Sequence, residues 1–233
     1  MTGITRKARE ATVTVKIHDS PATLDLLRRL ADADMASGNP GTLIADGEWK
    51  AKAWITKSDP QSITPTMVET QLTIVLADGV WRRPTMTHFT PRYDSGTADL
   101  DYPYDYPHDF AGMALGVEIV NDTSIPQPVK LTIFGPCAQP YVIIGTNRYE
   151  VDVTVPSGSR LEIDGTGDVR TVTMVSGTGL ATNCFAQAVR GSGKDSGRYV
   201  FQPLAPGTQP ISWPGGFQFD LTVCEERSEP PWT

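Results

Sequence analysis

Side chains that switch between apolar and polar at every step leave a chain few folds to choose from, because only a strand sends successive residues to opposite faces. Tyr149-Glu150-Val151-Asp152-Val153-Thr154-Val155 alternates strictly, and Phe217-Gln218-Phe219-Asp220-Leu221-Thr222-Val223 does so again. Shorter runs stand between and before them: Leu115–Val120, Val129–Phe134, Tyr141–Ile144, Leu161–Asp164, Val169–Met174 and Tyr199–Phe201. Turn residues separate them about every ten positions, as in Gly135-Pro136, Gly165-Thr166-Gly167 and Leu204-Ala205-Pro206-Gly207. Eight or so short antiparallel strands in this rhythm predict a β-sandwich of jelly-roll or lectin-like type over residues 111–226, with a flexible tail at 227–233.

The N-terminal half mixes periods. Thr12–Ile17 alternates and predicts a half-buried strand. Ser20 is a good N-cap and Pro21 suits the first helical position; Leu24, Leu27, Leu30 and Ala31 recur at helical spacing until Ser37-Gly38-Asn39-Pro40 ends the helix, placed at about 20–37. Asp46-Gly47 between two extended runs is the strongest short hairpin cue in the chain. Trp49, Ala51, Ala53 and Ile55 then share one strand face, and Glu69–Leu76 forms another long strand, closed by Ala77-Asp78-Gly79. Strand, helix, hairpin and strand together predict a barrel-like sheet with one packed helix over residues 1–99, so the whole chain is read as mostly β, with an α+β first half.

Between the halves runs Leu100-Asp101-Tyr102-Pro103-Tyr104-Asp105-Tyr106-Pro107-His108-Asp109-Phe110. Pro103 and Pro107 lack backbone donors and press the tyrosines before them toward extended geometry, which excludes both a helix and a central strand. Residues 100–110 are therefore a stiff connector, with Tyr102, Tyr104 and Tyr106 able to lie against the proline rings and a neighbouring surface.

The formal net charge of −7 excludes the clustered basic face of a nucleic-acid binder. No apolar stretch reaches membrane-spanning length, and Met1–Lys7 leads into no signal core, so the chain is expected to be soluble and unexported. Cys137, Cys184 and Cys224 lie too far apart for a zinc knuckle or a CxxC pair and are read as free thiols of a protein folded in reducing cytoplasm. His18, His88 and His108 have no partner at metal-binding or nucleophile-activating spacing. Asp94, Asp99, Asp101, Asp105 and Asp109 are held apart by the prolines and do not follow a calcium-loop spacing. Asp164–Asp168 is better explained as a turn. Glu118, Glu150 and Glu162 sit in strand patterns with no pair singled out for glycoside cleavage. No catalytic residue, metal or cofactor is called, and the chain is not read as an enzyme.

One ordered set of segments remains: Gly79-Val80-Trp81-Arg82-Arg83-Pro84, the Leu100–Pro107 run, Ile133-Phe134-Gly135-Pro136 with Pro140, Leu161-Glu162-Ile163-Asp164, Leu204-Ala205-Pro206-Gly207 and Ile211-Ser212-Trp213. In this order they resemble the distal tail proteins of long-tailed (siphovirus-type) bacteriophages, over roughly Thr12 to Glu225. The resemblance implies a virion structural protein of the phage tail tip, folded in the host bacterial cytoplasm. Its N-terminal domain would close a homohexamer ring around the tail channel, and its C-terminal domain would be a galectin-like sandwich on the outside. The implied partners are further copies of the chain, the tail tube protein, the baseplate hub or tail-associated protein, the tape-measure protein and a receptor-binding protein. On this reading Trp49, Ala51, Ile55, Leu72 and Ile74 are placed at the oligomer interface, and Tyr102, Pro103, Tyr104, Tyr106 and Pro107 form the inter-domain connector. The alternative function is a carbohydrate-binding sandwich contacting a cell-wall saccharide, with Trp213 stacking on a sugar ring unless it packs inward. Family members usually carry further strands ahead of the segment matching Arg9–Ile17, so the resemblance also implies a ring domain that is abbreviated or differently closed.

Overall fold

A computed structural model of the 233-residue chain describes residues 8–18, 21–91, 117–167 and 169–230. In chain order the elements are β1 (Arg9–Ile17), α1 (Pro21–Ser37), β2 (Gly41–Ala45), β3 (Trp49–Ile63), β4 (Val68–Leu76), β5 (Trp81–Phe89), β6 (Val117–Asn121), β7 (Val129–Phe134), β8 (Cys137–Ala138), β9 (Tyr141–Ile144), β10 (Asn147–Glu150), β11 (Thr154–Val155), β12 (Arg160–Asp164), β13 (Thr171–Val175), β14 (Ala181–Asn183), a 3-10 turn (Phe185–Gln187), β15 (Gly207–Ser212) and β16 (Phe219–Arg227). The protein is mostly β with one α-helix among the described residues, as its alternation demands. That helix is not long and apolar enough to cross a membrane.

The chain divides into two units, residues 1–83 with 226–233 and residues 84–225. In the first, all pairings are antiparallel. β4 lies between β1 and β3, and β2 flanks the opposite side of β3. Asp46 and Gly47 both take positive φ, 50° and 68°, which turns β2 back onto β3. Trp49, Ala51 and Ala53 of β3 pack with Leu72, Ile74 and Leu76 of β4 and with Trp81. The helix buries Leu24 and Ala31, half-buries Leu27 against that cluster, and leaves Leu30 exposed.

The second unit is two antiparallel sheets around one core. One sheet runs β5, β16, β7, β12, β13, β14, and the other β10, β9, β15, β6; β8 and β11 form a separate pair. Leu131, Ile133, Leu161, Ile163, Phe219 and Leu221 from the first sheet meet Val142, Ile144, Tyr149 and Ile211 from the second in a single buried cluster.

Three expectations shift. Tyr149–Val155 is one alternating run but two strands: β10 pairs β9, while β11 pairs β8. The inward positions Tyr149, Val151 and Val155 stay buried through the bend, so the alternation survives a change of ladder partner. Tyr199–Phe201 is no strand; Gln202 N donates to the Tyr199 carbonyl in a turn that pushes Val200 and Phe201 into the core. The third concerns the tail from Arg227. Arg227 closes β16 and Pro230 is buried, because residues 226–230 bond back to the first unit.

The crossings between units lie at Arg83/Pro84 and Glu225/Glu226, within β5 and β16. The Tyr/Pro run, with Tyr102, Pro103, Tyr104, Tyr106 and Pro107, lies outside the described residues.

Candidate functional site

In the first unit the residues expected at an oligomer interface turn out to be core. Trp49, Ala51, Leu72 and Ile74 are each 5% exposed or less, and Ile55 is half-buried against them. Their side chains face their own sheet and helix and are unavailable to a second copy. The alternation that singled them out reports a covered face without saying what covers it.

Among the described residues two other surfaces of this unit are uncovered. β1 pairs along its full length with β4, from Arg9 opposite Leu76 to Ile17 opposite Val68, and stands at the end of the strand order. Seven of its nine side chains are exposed, and its outer edge carries backbone donors and acceptors of the kind another strand can pair. The helix supplies the second surface. Its buried stripe is Leu24, Leu27 and Ala31, yet Ala22, Leu26, Leu30 and Ala33 fall together within roughly 80° of arc on another face. Leu26 and Leu30 are each 56% exposed. A helix with two apolar stripes and one sheet beneath it has a face left over.

Charged side chains bind the end of β16 to this unit. Arg82 pairs with Asp78 and donates through Nε to Glu226 Oε1 at 3.0 Å, and the side chains of all three are less than a quarter exposed. Burial alone would lower the Arg82 pKa, but its two carboxylate partners outweigh it and raise the value above the ordinary one. The guanidinium groups of Arg83 and Arg227 sit over the Trp49 ring, 5.2 and 4.9 Å from its centroid. Arg9 donates to the Ser228 carbonyl and to Glu229 Oε1, at 3.0 and 3.2 Å. Sequence reading missed this clasp, since nothing in Glu226-Arg227-Ser228-Glu229 announces partners more than 140 positions away.

In the second unit the carboxylates weighed for chemistry are occupied. Glu150 accepts from Arg148 and Arg198, and Glu162 from Lys130 and Arg160. Partial burial would raise both carboxyl pKa values, but the cationic donors outweigh it and hold both below the usual carboxylate range. Asp164 Oδ1 accepts from the backbone N–H and hydroxyl of Thr166, which makes this segment the expected turn. His88 Nδ1 lies 2.5 Å from Asp220 Oδ1. The three cysteines are free, and burial pushes the Cys137 thiol up to about 11, far from a reactive thiolate. Among the described residues no three His, Cys, Asp or Glu side chains gather for a metal. His108 and the carboxylates from Asp94 to Asp109 lie outside those residues.

Trp213 packs edge-on against Phe89 and Phe219, with centroids 6.0 and 5.2 Å away, and its Nε1–H donates to the Phe217 carbonyl at 3.1 Å. Phe89 and Phe219 stack at 4.6 Å. The half-buried indole thus packs against aromatic residues of the core, the inward of the two positions considered for it.

No protein-family model matches the sequence, and no curated protein matches it either. Solved structures do match. A chain of the phage P2 baseplate in its activated conformation with Ca superposes at TM-score 0.57 and 11% identity, over 94% of this chain and 80% of that one, and the same baseplate with Sr gives the same figures. The SPP1 Dit (gp 19.1) protein, described as a paradigm of the hub adsorption apparatus in phages that infect Gram-positive bacteria, superposes at 0.51 and 10% identity over 94% and 79%. At these identities the likeness is one of fold, and both units of this chain share the fold of a phage baseplate component and of a Dit hub protein.

Proposed function

We propose that this protein is a distal-tail-type hub subunit of a long-tailed phage, whose copies close into a ring that joins the tail tube to the host-recognition apparatus. The observation that carries the reading is the extent of the fold likeness. Two unlike units, in one chain order, align over 94% of the chain to a phage baseplate component and to a Dit hub protein. A generic sandwich would align over the second unit alone.

The open surfaces fit such a role. A ring needs two different patches on each copy, one receiving the other, and closes when the rotation between copies divides a full turn. The leftover stripe of α1 and the free edge of β1 are two such patches on the same unit. The role needs no reacting group, in keeping with carboxylates that are spent on neighbouring cations. Tail tube, tape-measure, hub and receptor-binding proteins are the partners of a subunit so placed, and the virion its location. The hub reading is preferred to the rival sugar-binding one because Trp213, the side chain considered for a sugar ring, packs against core aromatic residues.

Native mass measurement and negative-stain imaging of the purified chain test the proposal. Six chains of 25.3 kDa in a closed ring are expected. A monodisperse monomer at micromolar concentration, with no ring in the images, would overturn it.

A further inference from the structure

The formal charge of −7 is unevenly spread along the chain. From residue 169 to residue 219 the sequence carries Arg170, Arg190, Lys194 and Arg198 against Asp195 alone, a local +3 that leaves the rest of the chain at −10. All four cations belong to the second unit, where Arg148 joins them. We propose that this cationic surface docks a carboxylate-rich face of another protein.

Three observations carry the proposal. The first is that one network of bonds holds the five side chains. Arg148 and Arg198 both donate to Glu150, at 3.0 and 2.9 Å. The Val189 N–H donates to the Glu150 carbonyl at 3.0 Å, and the Arg148 N–H to the Gly197 carbonyl at 2.8 Å. The loop that presents Arg190 and Lys194 is thereby pinned to β10 at both ends. Arg170 reaches the same place from the start of β13 and donates to the Tyr199 hydroxyl.

The second is excess charge turned outward. Arg170, Arg190, Lys194 and Arg198 are exposed, and two guanidinium groups share the single carboxylate of Glu150. Among the described residues no carboxylate pairs with Arg170, Arg190 or Lys194.

The third is orientation. The Arg148 guanidinium lies 3.7 Å from the centroid of the Tyr141 ring, that of Arg190 5.0 Å from Phe185, and that of Arg170 5.7 Å from Tyr199. Rings that hold a planar guanidinium leave it less freedom to lose on binding, and its fork of N–H groups matches a carboxylate. Arginine interleaved with aromatic residues is also the composition of protein–protein contacts. A long polyanion would run from this surface onto a chain that is otherwise strongly negative, whereas a compact acidic face meets only charges within about 10 Å. The surface lies in the second unit, so it stands whether or not the first closes a ring.

Fluorescence anisotropy on the full-length protein tests it at about 50 mM salt, with a labelled peptide of about twelve glutamates as the probe and a single-stranded oligonucleotide of matching charge as the contrast. The glutamate peptide should bind saturably. Arg190→Glu with Lys194→Glu turns two attractions into repulsions and should weaken that binding roughly tenfold or more. Arg170→Gln, from a separate segment, should weaken it too. Lys50→Glu with Lys52→Glu, on exposed positions of β3, changes the net charge as much as the first pair and should leave binding within about twofold. Circular dichroism confirms that each variant is folded. Absence of saturable binding would overturn the proposal. So would binding that survives unchanged in the Arg190/Lys194 and Arg170 variants, an equal loss in the Lys50/Lys52 variant, or tighter binding of the oligonucleotide than of the peptide.

Discussion

Single positions show how closely this chain is packed and which side chains are spare. Gly135 runs against the neighbouring backbone so tightly that an added Cβ would lie 2.1 Å from the Pro156 carbonyl oxygen and 2.7 Å from that of Val155, while its own N–H is held by the Ser159 carbonyl at 2.9 Å. Neither side can yield without losing a backbone bond, so Gly135→Ala should cost about 1–3 kcal/mol or more, read as a drop in the urea midpoint. Ile74 and Leu30 make a paired test of what is core and what is spare. Aspartate at Ile74, 3% exposed, would bury an unpaired carboxylate and should cost several kcal/mol. Aspartate at Leu30 and Leu26, each 56% exposed, should leave the unfolding midpoint within about 0.5 kcal/mol of the parent per site yet convert the proposed rings to folded monomers. A double variant that stays a ring would remove α1 from the contact. Titration gives another reading. The Glu150 and Glu162 carboxyls are depressed in the folded state, so their contribution is complete above the unfolded value near ~4.3 and disappears as pH falls through the lower folded values. The denaturant midpoint should therefore fall from about pH 6 to about pH 3, and fall less in a Glu150→Gln, Glu162→Gln double variant.

Among elements, those that alternate in sequence and bury one face were legible almost to the residue. β7 spans Val129–Phe134 as its alternation requires, the continuous apolar run Tyr141–Ile144 is β9, and the helix keeps its bounds because proline opens it and Gly38 closes it. β5 was not legible. Pro84 and two arginines break its pattern, and only its ends, Trp81 and Phe89, are buried, so no alternation exists to be read. Tyr199–Phe201 failed the opposite way, with three bulky residues that look like strand and serve as a buried turn. The clasp at the end of β16 depends on tertiary partners alone, and so does the cationic surface, which is assembled from three separated segments. If the clasp holds the first unit closed, Glu226→Ala should strip Arg82 of one of two partners in a partly buried place. The expected loss is about 1–3 kcal/mol, visible as an earlier transition in tryptophan fluorescence, since Trp49 and Trp81 lie in that unit. An unchanged transition would mean that Asp78 alone satisfies the guanidinium.

For the molecule as a whole, the Tyr/Pro run expected to link the halves lies outside the described residues, and among the described ones the chain changes unit within β5 and again within β16. The first unit is thus discontinuous in sequence, and Arg82 finds Glu226 across 144 positions. This has a bearing on biosynthesis. A ribosome must finish the entire second unit before the first can acquire its last pieces, so a nascent chain cannot offer a completed first unit to its siblings. Polypeptides cut short anywhere within residues 84–225 should stay protease-sensitive in residues 8–83 and remain outside the assembly, which pulse proteolysis of stalled chains would reveal. For the proposed ring, order of manufacture then acts as an inspection step that admits only copies whose second unit has been made.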